Sequence, residues 1–419
     1  MASAAHQAAA APAAQPALPE ELLEDIFLRL DAAADLARAS AACTTFHRVV
    51  SARGFLRRFR SLHSPPILGF LESDQSGPFR PADPPHRAAA AARALARAAD
   101  FSFSFVPNPT RSSWNVCDAR DGRVLLYRRT GDAAAFADLV VCDPLHRRFV
   151  QLPPIPDDLA VSTGARGMPD FDPFFDPDSK EEKHEDGEEE YVSFGVICAV
   201  QCQHKLVTFH FSSVTGKWHA LMFNRVLSLA TPDMDLYRGV FKRHYAHGCF
   251  YWTMYGSSGM LMQDTREMRL SRVGIPIATR LQQKAVVEAG EGRLGLLALR
   301  ACMLHLYSKA LQNICSGTEE WHQDRTIPLP KLDADWRIIG AAREYVLLQA
   351  VLQDSSQFTS FLQQSQQIPG ATQYFTLHFT LDLKTCLVER LSMSNEPIGI
   401  NNRAHLYTSF PAPLSLPSI

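Results

Sequence analysis

A strand–turn–strand pattern that recurs along the chain is the feature that most limits its fold. Each copy has an apolar strand, a polar turn and a second strand that opens with an aromatic or apolar residue. Asp-Pro and Thr-Gly in the turns are typical of tight hairpins. The copies are residues 138–154, 206–221, 261–273 and 379–391, together with 304–330, which has a longer turn.

Other apolar stretches precede these copies and are predicted to be inner strands of the same sheets. They are residues 122–127, 192–200, 247–254, 293–300 and 338–348. Units of roughly 40 to 50 residues with four short strands predict a propeller, because each small sheet buries its faces only against its neighbours. Five units are visible, and a strand beginning at Phe101 is predicted to pair with one beginning at Leu406 as a sixth blade that closes the ring. We therefore expect an all-β, propeller-like domain of about five to six blades over residues 101–415.

The stretch from Leu18 to Phe59 has a different texture, with apolar residues at helical spacing. Pro19 suits the first position of a helix, and acidic residues follow it where the helix dipole favours negative charge. Further along, apolar side chains recur at i, i+4 and i+8, with two more alongside: Leu22, Ile26 and Leu30, then Leu23 and Phe27. This apolar stripe is wide enough for two contacts.

Three more short helical segments are predicted after the first. Asp35 is a plausible N-cap for the second helix and Thr44 for the third, while Gly54 is predicted to end the third. Phe55 and Phe59 then belong to a last helical turn. Four short helices in about 45 residues cannot bury all this apolar surface internally. Either the β domain or another protein must cover the remainder.

The segment LPEELLEDIFLRLDAAADLARASAACTTFHRVVSARGFLRRF resembles the F-box, whose pattern is Leu-Pro, two Leu-rich turns, a short Ala/Leu helix and then Cys-x-x-aromatic-Arg. Two positions depart from that pattern: Asp31 stands where Pro is common, and Phe46 where Trp is common. The resemblance implies binding to the Skp-type adaptor of an SCF (Skp–cullin–F-box) ubiquitin ligase. The positions that would contact the adaptor are Leu18, Pro19, Leu22, Leu23, Ile26, Leu30, Leu36, Cys43, Phe46 and Phe55.

A second resemblance covers most of the β-rich part. Residues 248–252 (Gly-x-Phe-Tyr-Trp), 213–218 (Ser-x-Thr-Gly-x-Trp) and 287–295 are similar to the C-terminal region of grass-type plant F-box proteins. The Gly-Gly signature of kelch blades and the Trp-Asp ends of WD blades do not occur. The two resemblances together imply an α+β multidomain chain, with a small all-α F-box domain followed by the all-β domain. They do not imply a particular target protein or target-binding residues.

The composition of the chain limits the kinds of partner and the cellular compartment that we expect. The 419 residues carry a formal net charge of −2, which offers no basic face for nucleic acid or an anionic membrane. No apolar run reaches the roughly 20 residues that a membrane helix needs, and the Ala-rich start lacks the layout of a signal peptide. Nine cysteines without regular spacing are typical of free thiols in a reducing compartment, so the cytosol or nucleus is expected.

The predicted organisation begins with a disordered Ala-rich tail at residues 1–16 and an F-box helical domain at 17–62. A connector with an Ala/Arg helix follows at 63–100, before the β domain. Two low-complexity stretches inside the β domain are predicted to be loops. They are an acidic loop at 157–190 and a Gln/Ser-rich loop at 353–373, and both are candidates for target binding because binding loops often sit on rigid scaffolds.

The motifs that could indicate catalysis or cofactor binding lack the sequence context that such sites require. Gly290, Gly292 and Gly295 satisfy GxGxxG, but strand, turn and strand are predicted there, rather than the helix that a dinucleotide site requires. His244 and His247 lack Cys or carboxylate neighbours at ligand spacing. The tryptophans are typical of blade cores rather than of ligand stacks, namely Trp218, Trp252, Trp321 and Trp336. We therefore expect no catalytic residue, cofactor or metal.

These observations predict a non-catalytic receptor that binds a Skp-type adaptor, and through it a cullin scaffold, and holds a target protein through its β domain. An alternative is a propeller enzyme or small-ligand binder whose helices only cap the β domain. A polar, carboxylate- or His-lined central funnel with shifted pKa values would favour that alternative. An exposed Leu/Ile/Phe patch on the helices would favour the receptor. A scaffold that binds the adaptor without delivering a target stays open as a third interpretation.

Overall fold

The computed structural model describes most of the chain, which divides into two compact units, Met1–Pro65 and Pro66–Ile419. We call them the helical unit and the β unit. The described residues are 18–30, 33–73, 79–107, 114–128, 136–163, 171–177, 193–202, 205–224, 242–253, 255–265, 269–290, 292–314, 320–342, 344–352, 375–395, 403–410 and 419.

The helical unit contains the four short helices that its periodicity predicts. They are α1 (Glu20–Leu28), α2 (Ala33–Ser40), α3 (Thr44–Ser51) and α4 (Arg53–Leu62). The predicted caps differ in detail: Cys43, not Thr44, caps α3, because its Sγ accepts a hydrogen bond from the Phe46 amide at 3.5 Å. Asp35 lies inside the first turn of α2. Gly54 lies inside α4, since the extended conformation of Ala52 separates α3 from α4.

The core of the helical unit is aromatic at its centre. The Phe55 ring packs edge-on against Phe27, with centroids 6.4 Å apart, and stacks on Phe59 at 6.1 Å. Leu36 from α2 and Val50 from α3 are fully buried in the same unit. Burying each of these side chains contributes roughly 1.5–3 kcal/mol. The helices therefore pack around their own small core.

The β unit contains five four-stranded sheets and one three-stranded sheet among the described residues. We number them as blades. Blade 1 contains β3 (Asn115–Arg120), β4 (Arg123–Arg128), β5 (Asp138–Asp143) and β6 (Arg148–Gln151). Blade 2 contains β7 (Phe171–Asp176), β8 (Gly195–Cys202), β9 (Lys205–Ser212) and β10 (Lys217–Asn224). Blade 3 contains β11 (Lys242–Ala246), β12 (Cys249–Thr253), β13 (Gly259–Asp264) and β14 (Arg269–Gly274).

The remaining blades follow the same antiparallel order. Blade 4 contains β15 (Gln283–Glu288), β16 (Arg293–Arg300), β17 (Met303–Ala310) and β18 (His322–Pro328). Blade 5 contains β19 (Ala334–Ala342), β20 (Tyr345–Leu352), β21 (Thr376–Asp382) and β22 (Val388–Ser394). Blade 6 combines the C-terminal β23 (Ala404–Thr408) with β1 (Ile67–Glu72) and β2 (Arg80–Pro81).

The first strand of each sheet faces its counterparts around a common axis. β3 contacts β7, β11 contacts β15, β15 contacts β19, and β23 contacts both β19 and β3. An ion pair between Arg243 of β11 and Asp172 of β7 completes the circuit. The sheets therefore form a closed six-bladed propeller, which confirms the predicted architecture and sets its blade number.

Blade 6 corrects one prediction. β23 does belong to the closing blade, but it pairs with β1 (Leu406 with Phe70, Tyr407 with Gly69), not with the segment that begins at Phe101. Residues 101–107 instead form turns. The reason is Asp100, whose carboxylate accepts hydrogen bonds from the amides and hydroxyls of Ser102 and Ser104 and so bends the chain away from a strand.

The predicted connector, residues 63–100, differs from what the structure shows. It contains β1 and β2, and the division between the units falls between Pro65 and Pro66. β1 is a strand because its apolar residues, among them Leu68 and Phe70, are completely buried. The Ala/Arg helix is present as α5 (Ala89–Ala98), and its Ala92 and Leu95 pack into the same core.

The two predicted loops have different outcomes. The stretch 157–190 is not all loop, since it contains a helix, α6 (Asp157–Thr163), and the strand β7. β7 forms there because Phe174 and Phe175 bury their rings on its two sides, in different core clusters. Residues 164–170 and 178–190 of that stretch lie outside the described residues, as do the whole Gln/Ser-rich stretch 353–373 and the tail 1–16.

Candidate functional site

Helix α1 carries two apolar faces. Leu23 and Phe27 point into the core, at 5% and 4% exposure. Leu18 just before the helix, with Leu22 and Ile26 within it, remain exposed at 53%, 49% and 48%. Their i, i+4, i+8 spacing places these three side chains on one side of the helix. We call Leu18, Leu22 and Ile26 the α1 apolar face.

Ion pairs hold α1 in the orientation that leaves this face outside. Glu20 pairs with Arg48 of α3. Glu24 accepts a hydrogen bond from Arg58 of α4 at 2.8 Å, and Asp25 lies 3.7 Å from the same guanidinium. The acidic side of α1 thus faces α3 and α4, and such partly exposed pairs orient a helix more than they stabilise it.

The residues expected to contact an adaptor divide into three groups by burial. Five are exposed: Leu18, Pro19, Leu22, Ile26 and Cys43. Leu30 and Phe46 are half-buried, and the Phe46 ring packs edge-on against Phe27 at 5.1 Å. The last group lies in the core of the helical unit, namely Leu23, Leu36 and Phe55. The structure therefore brings the first group to the surface and gives the last group an internal packing role.

A second candidate site lies at the centre of the propeller, where charged side chains from four blades meet. Asp172 of β7 accepts hydrogen bonds from Arg243 of β11 at 2.8 Å and from Arg403, next to β23, at 3.1 Å. Asp118 of β3 lies 3.8 Å from Arg243 and 3.6 Å from His405 of β23. We call Asp118, Asp172, Arg243, Arg403 and His405 the axial cluster.

The carboxylates of the axial cluster are held in their charged form. Burial alone would raise the pKa of Asp118, but the hydrogen bond with His405 and the charge of Arg243 outweigh it and lower the pKa to about 2. For Asp172, burial is likewise outweighed by Arg243 and Arg403, so its pKa is also lowered. An efficient general acid or base has a pKa near the working pH. These carboxylates serve as ionic partners between blades.

Basic groups next to the axial cluster are also engaged. Lys242 donates to the Ile338 carbonyl at 2.9 Å, which joins blade 3 to blade 5. His244 lies 3.2 Å from the Thr253 hydroxyl, and burial, with the charges of Lys242, Arg403 and Arg243, lowers its pKa to about 3. The imidazole of His244 is therefore neutral at physiological pH. Burial and then the charge of Arg403 lower the pKa of Lys242 to about 8.

The glycines, histidines and tryptophans for which the sequence predicts no catalytic or ligand-binding role are structural residues. Gly290 and Gly292, both at positive φ, lie in the turn between β15 and β16, and the residues that follow form the predicted strand, turn and strand, namely β16 and β17. His247 lies 2.9 Å from the Arg293 carbonyl. The tryptophans predicted to be core residues are buried at three positions, Trp218, Trp252 and Trp336. Trp321 is half-buried and donates to the Gly274 carbonyl at 2.7 Å.

Two kinds of feature are absent from the described part of the chain. No group of three or more His, Cys, Asp or Glu side chains is placed there to hold a metal ion. Within the same residues, none of the helices has the length and apolarity that crossing a membrane requires.

Sequence reasoning missed the axial cluster. The available signal was an aspartate inside the first strand of a unit, as with Asp118 in NVCDAR and Asp172 in FDPFFD. A charge at such a position needs a partner when the strand is buried. The partners come from strands 71 and 231 residues away from Asp172, which no local pattern reveals.

Comparison with known families identifies the helical region. Residues 16–62 match the family model described as F-box-like. All four helices of the helical unit lie within that match. The chain therefore carries an F-box-like helical region followed by an all-β propeller of six blades. No curated protein matches the chain.

Several solved structures are similar to the chain at low identity. TolB from Acinetobacter baumannii is 8% identical over 68% of this chain and 54% of its own length, with a TM-score of 0.35. The Aleuria aurantia lectin is 10% identical over 68% and 79%, with a TM-score of 0.31. A post-proline cleaving enzyme from Rickettsia typhi is 8% identical over 91% and 58%, with a TM-score of 0.33. This chain spans about half the length of the TolB chain that it matches.

Proposed function

We propose that this protein is a substrate-recruiting receptor of an SCF-type ubiquitin ligase. The observation that carries the proposal is the α1 apolar face, which lies in an F-box-like region and is exposed at all three of its positions. Clustered exposed apolar side chains are typical of protein–protein interaction sites. In this proposal the face binds a Skp-type adaptor, which connects the chain to a cullin scaffold.

The burial of the helical unit supports an external partner. Its large exposed apolar side chains among the described residues are Leu18, Leu22, Ile26 and Leu62, and three of these four belong to the α1 apolar face. A helix that only covered its own core would turn its apolar side inward and leave polar groups outside. Here α1 covers a core and still presents a second apolar face.

The proposed mechanism is tethering rather than chemistry. The helical unit holds the adaptor while the propeller holds a target protein. Both are then part of one complex, so the target's lysines experience a high effective concentration of the ubiquitin-charged enzyme. No residue of this chain takes part in bond making or breaking, and the chain acts as a non-catalytic subunit.

The axial cluster is the observation that favours the rival function, a propeller enzyme or small-ligand binder. Its carboxylates form ion pairs with guanidinium groups, and Arg243 also stacks 4.0 Å above the Phe174 ring. The pKa values of both carboxylates are lowered, that of Asp118 to about 2. Such pairing suits a lock between blades better than acid–base chemistry, so the receptor function is preferred.

The test is binding of purified Skp-type adaptor to the full chain. Leu22→Asp/Ile26→Asp places two charges on the α1 apolar face, where burial in an interface would desolvate them. We expect the wild-type chain to retain the adaptor and the double variant to lose it. Leu62→Asp is the matched control, because Leu62 is 66% exposed in the same unit and lies outside that face.

Each outcome of this test is informative. Retention by the wild type and by Leu62→Asp, with loss by the double variant, supports the receptor. Failure of the wild type to bind reduces the helices to a structural cap and brings the rival function forward. Equal binding by all three chains contradicts the assignment of the α1 apolar face. Circular dichroism of each variant establishes that the chain is folded.

Two further parts of the proposal concern origin and compartment. The similarity of residues 248–252, 213–218 and 287–295 to grass-type plant F-box proteins supports placement in that subfamily. The cysteines whose side chains the structure describes are free thiols, which supports a reducing compartment, the cytosol or nucleus. Fluorescence microscopy of the tagged full chain in plant cells tests the compartment, and an extracellular signal would contradict it.

A further inference from the structure

The most exposed large apolar side chains described in the β unit lie together. They are Ile277 at 90%, Leu281 at 67% and Tyr255 at 63% exposure. Ile277 and Leu281 belong to the loop 275–282, which joins β14 of blade 3 to β15 of blade 4, and Tyr255 belongs to the connection from β12 to β13. We call these three residues the blade 3–4 apolar patch.

Hydrogen bonds between the two loops bring the patch together. The Gly256 amide donates to the Arg280 carbonyl at 3.0 Å, and the Arg280 guanidinium donates back to the Gly256 carbonyl. The Ile275 amide donates to the Ser258 carbonyl at 3.2 Å. Tyr255 and Leu281 each adjoin a residue of the Gly256–Arg280 pair. The patch is therefore one local surface contributed by two loops.

The loop that carries Ile277 and Leu281 is anchored from beneath. Thr279 is completely buried, and its hydroxyl donates to the Pro276 carbonyl at 2.8 Å. The buried ammonium of Lys284 donates to three carbonyls of the loop, those of Thr279, Arg280 and Gln282, at 2.9–3.1 Å. A loop fixed in this way presents its apolar side chains with little entropy left to lose on binding.

The charged side chains in the two loops that carry the patch have one sign. The segments 255–258 and 275–282 contain Arg280 and no Asp or Glu. The exposed Arg272 of β14 donates to the Ser258 hydroxyl at 2.9 Å, beside the Tyr255 loop. The two exposed arginines, Arg272 and Arg280, favour an acidic ligand.

We propose that the blade 3–4 apolar patch, together with Arg272 and Arg280, docks a short segment of the target protein that combines apolar and acidic side chains. The apolar side chains pack on Ile277, Leu281 and Tyr255, and the carboxylates face the two arginines. Tyr and Arg are enriched among the residues that dominate binding energy at interfaces. This inference rests on the proposed receptor function, because it names the surface that the target would use.

The test is selection from a phage-displayed library of random peptides on the immobilised full chain. We expect the selected peptides to be enriched in both Asp/Glu and large apolar residues. Their synthetic copies should bind about tenfold or more weakly to Ile277→Asp/Leu281→Asp and to Arg272→Glu. Leu387→Asp is the matched control, since Leu387 is 53% exposed on blade 5, away from the patch, and should leave the affinity unchanged.

Three outcomes would overturn the proposal: selection of no peptide, selection of peptides without the combined composition, or equal binding by the patch variants and the wild type. Peptides selected by negative charge alone, indifferent to Ile277→Asp/Leu281→Asp, also count against it. Ile277 and Leu281 are exposed, so these variants should melt at the wild-type temperature.

Adaptor binding, measured on the same samples, separates this inference from the receptor function. Peptide binding without adaptor binding keeps the patch and removes the ligase role, whereas adaptor binding without peptide selection keeps the receptor and removes the patch.

Discussion

The helical unit and the propeller place apolar and charged groups in opposite ways. α1 keeps Leu22 and Ile26 at the surface, whereas the first strands of the propeller bring Asp118, Asp172 and Arg243 inward. The inward charges are paired with one another across blades. The outward leucine and isoleucine have no such compensation within the helical unit. Charges buried in pairs therefore stabilise the fold, whereas apolar side chains exposed without a partner indicate a binding surface.

The largest effect on stability is expected when the propeller ring is opened. Deletion of residues 404–419 removes β23, the strand that carries the buried Leu406 and Tyr407 and that contacts both neighbouring blades. The remaining β unit is an open ring, and we expect it to lose cooperative thermal unfolding in calorimetry. Amide protection of α1–α4, measured by hydrogen exchange, should persist, because that core is internal to the helical unit. A cooperative transition in the truncated chain would contradict the closed ring.

Within the helical unit, substitution of inward-facing apolar residues should destabilise the fold much more than substitution of outward-facing ones. Phe55→Ala removes a buried ring that packs on Phe27 and Phe59, and we expect destabilisation of about 3–5 kcal/mol. Leu22→Ala on the α1 apolar face should stay within about 0.5 kcal/mol. Hydrogen exchange of the α1 and α4 amides measures both. Similar losses at the two positions would mean that Leu22 belongs to the core.

The axial cluster permits the same comparison for charges. Arg243→Met leaves Asp118 and Asp172 without their shared guanidinium, and we expect a loss of about 3 kcal/mol in the free energy of unfolding. Arg337→Met is the control, because its partner Asp335 is half-exposed and such pairs contribute only about 0.2–1 kcal/mol. Urea denaturation of both variants gives the values. Equal losses would show that the axial cluster is not an interblade lock.

The smallest effect is a pH dependence of stability. The pKa of Asp118 is lowered to about 2 in the folded chain, below the roughly 3.9 of an unfolded Asp. Its stabilising contribution is therefore complete above the unfolded pKa and is lost as pH falls from about 4 towards 2. We expect the stability difference between wild type and Asp118→Asn to shrink over that range. A difference that stays constant in acid would contradict the ionised, paired state of Asp118.

Local patterns account for the parts of the fold that the sequence predicts. Helical spacing predicts the helical unit, and hairpin turns predict five blades, because both depend on residues close in the chain. The closing blade was predicted with its C-terminal strand but with the wrong partner, because the pairing of β1 with β23 depends on the whole ring and not on a local pattern. Asp100 also turns the segment that the pattern favoured.

The candidate binding surfaces were likewise predictable only where they depend on residues close in the chain. The periodicity of α1 predicts a stripe with two faces, but only the packed structure shows that Leu23 faces the core while Leu22 and Ile26 face outward. The blade 3–4 apolar patch has no periodicity, since Ile277 and Leu281 lie in a loop and Tyr255 in another. Only the hydrogen bonds between those loops bring the three residues together.

The measurement that tests the central claim most directly is the heat capacity change when a Skp-type adaptor binds the full chain, obtained by titration calorimetry at several temperatures. Burial of the α1 apolar face predicts a negative heat capacity change that becomes smaller in magnitude in Leu22→Ala/Ile26→Ala, together with weaker binding. Absence of adaptor binding, or an identical heat capacity change in that variant, would contradict the assignment of this face as the adaptor-binding surface.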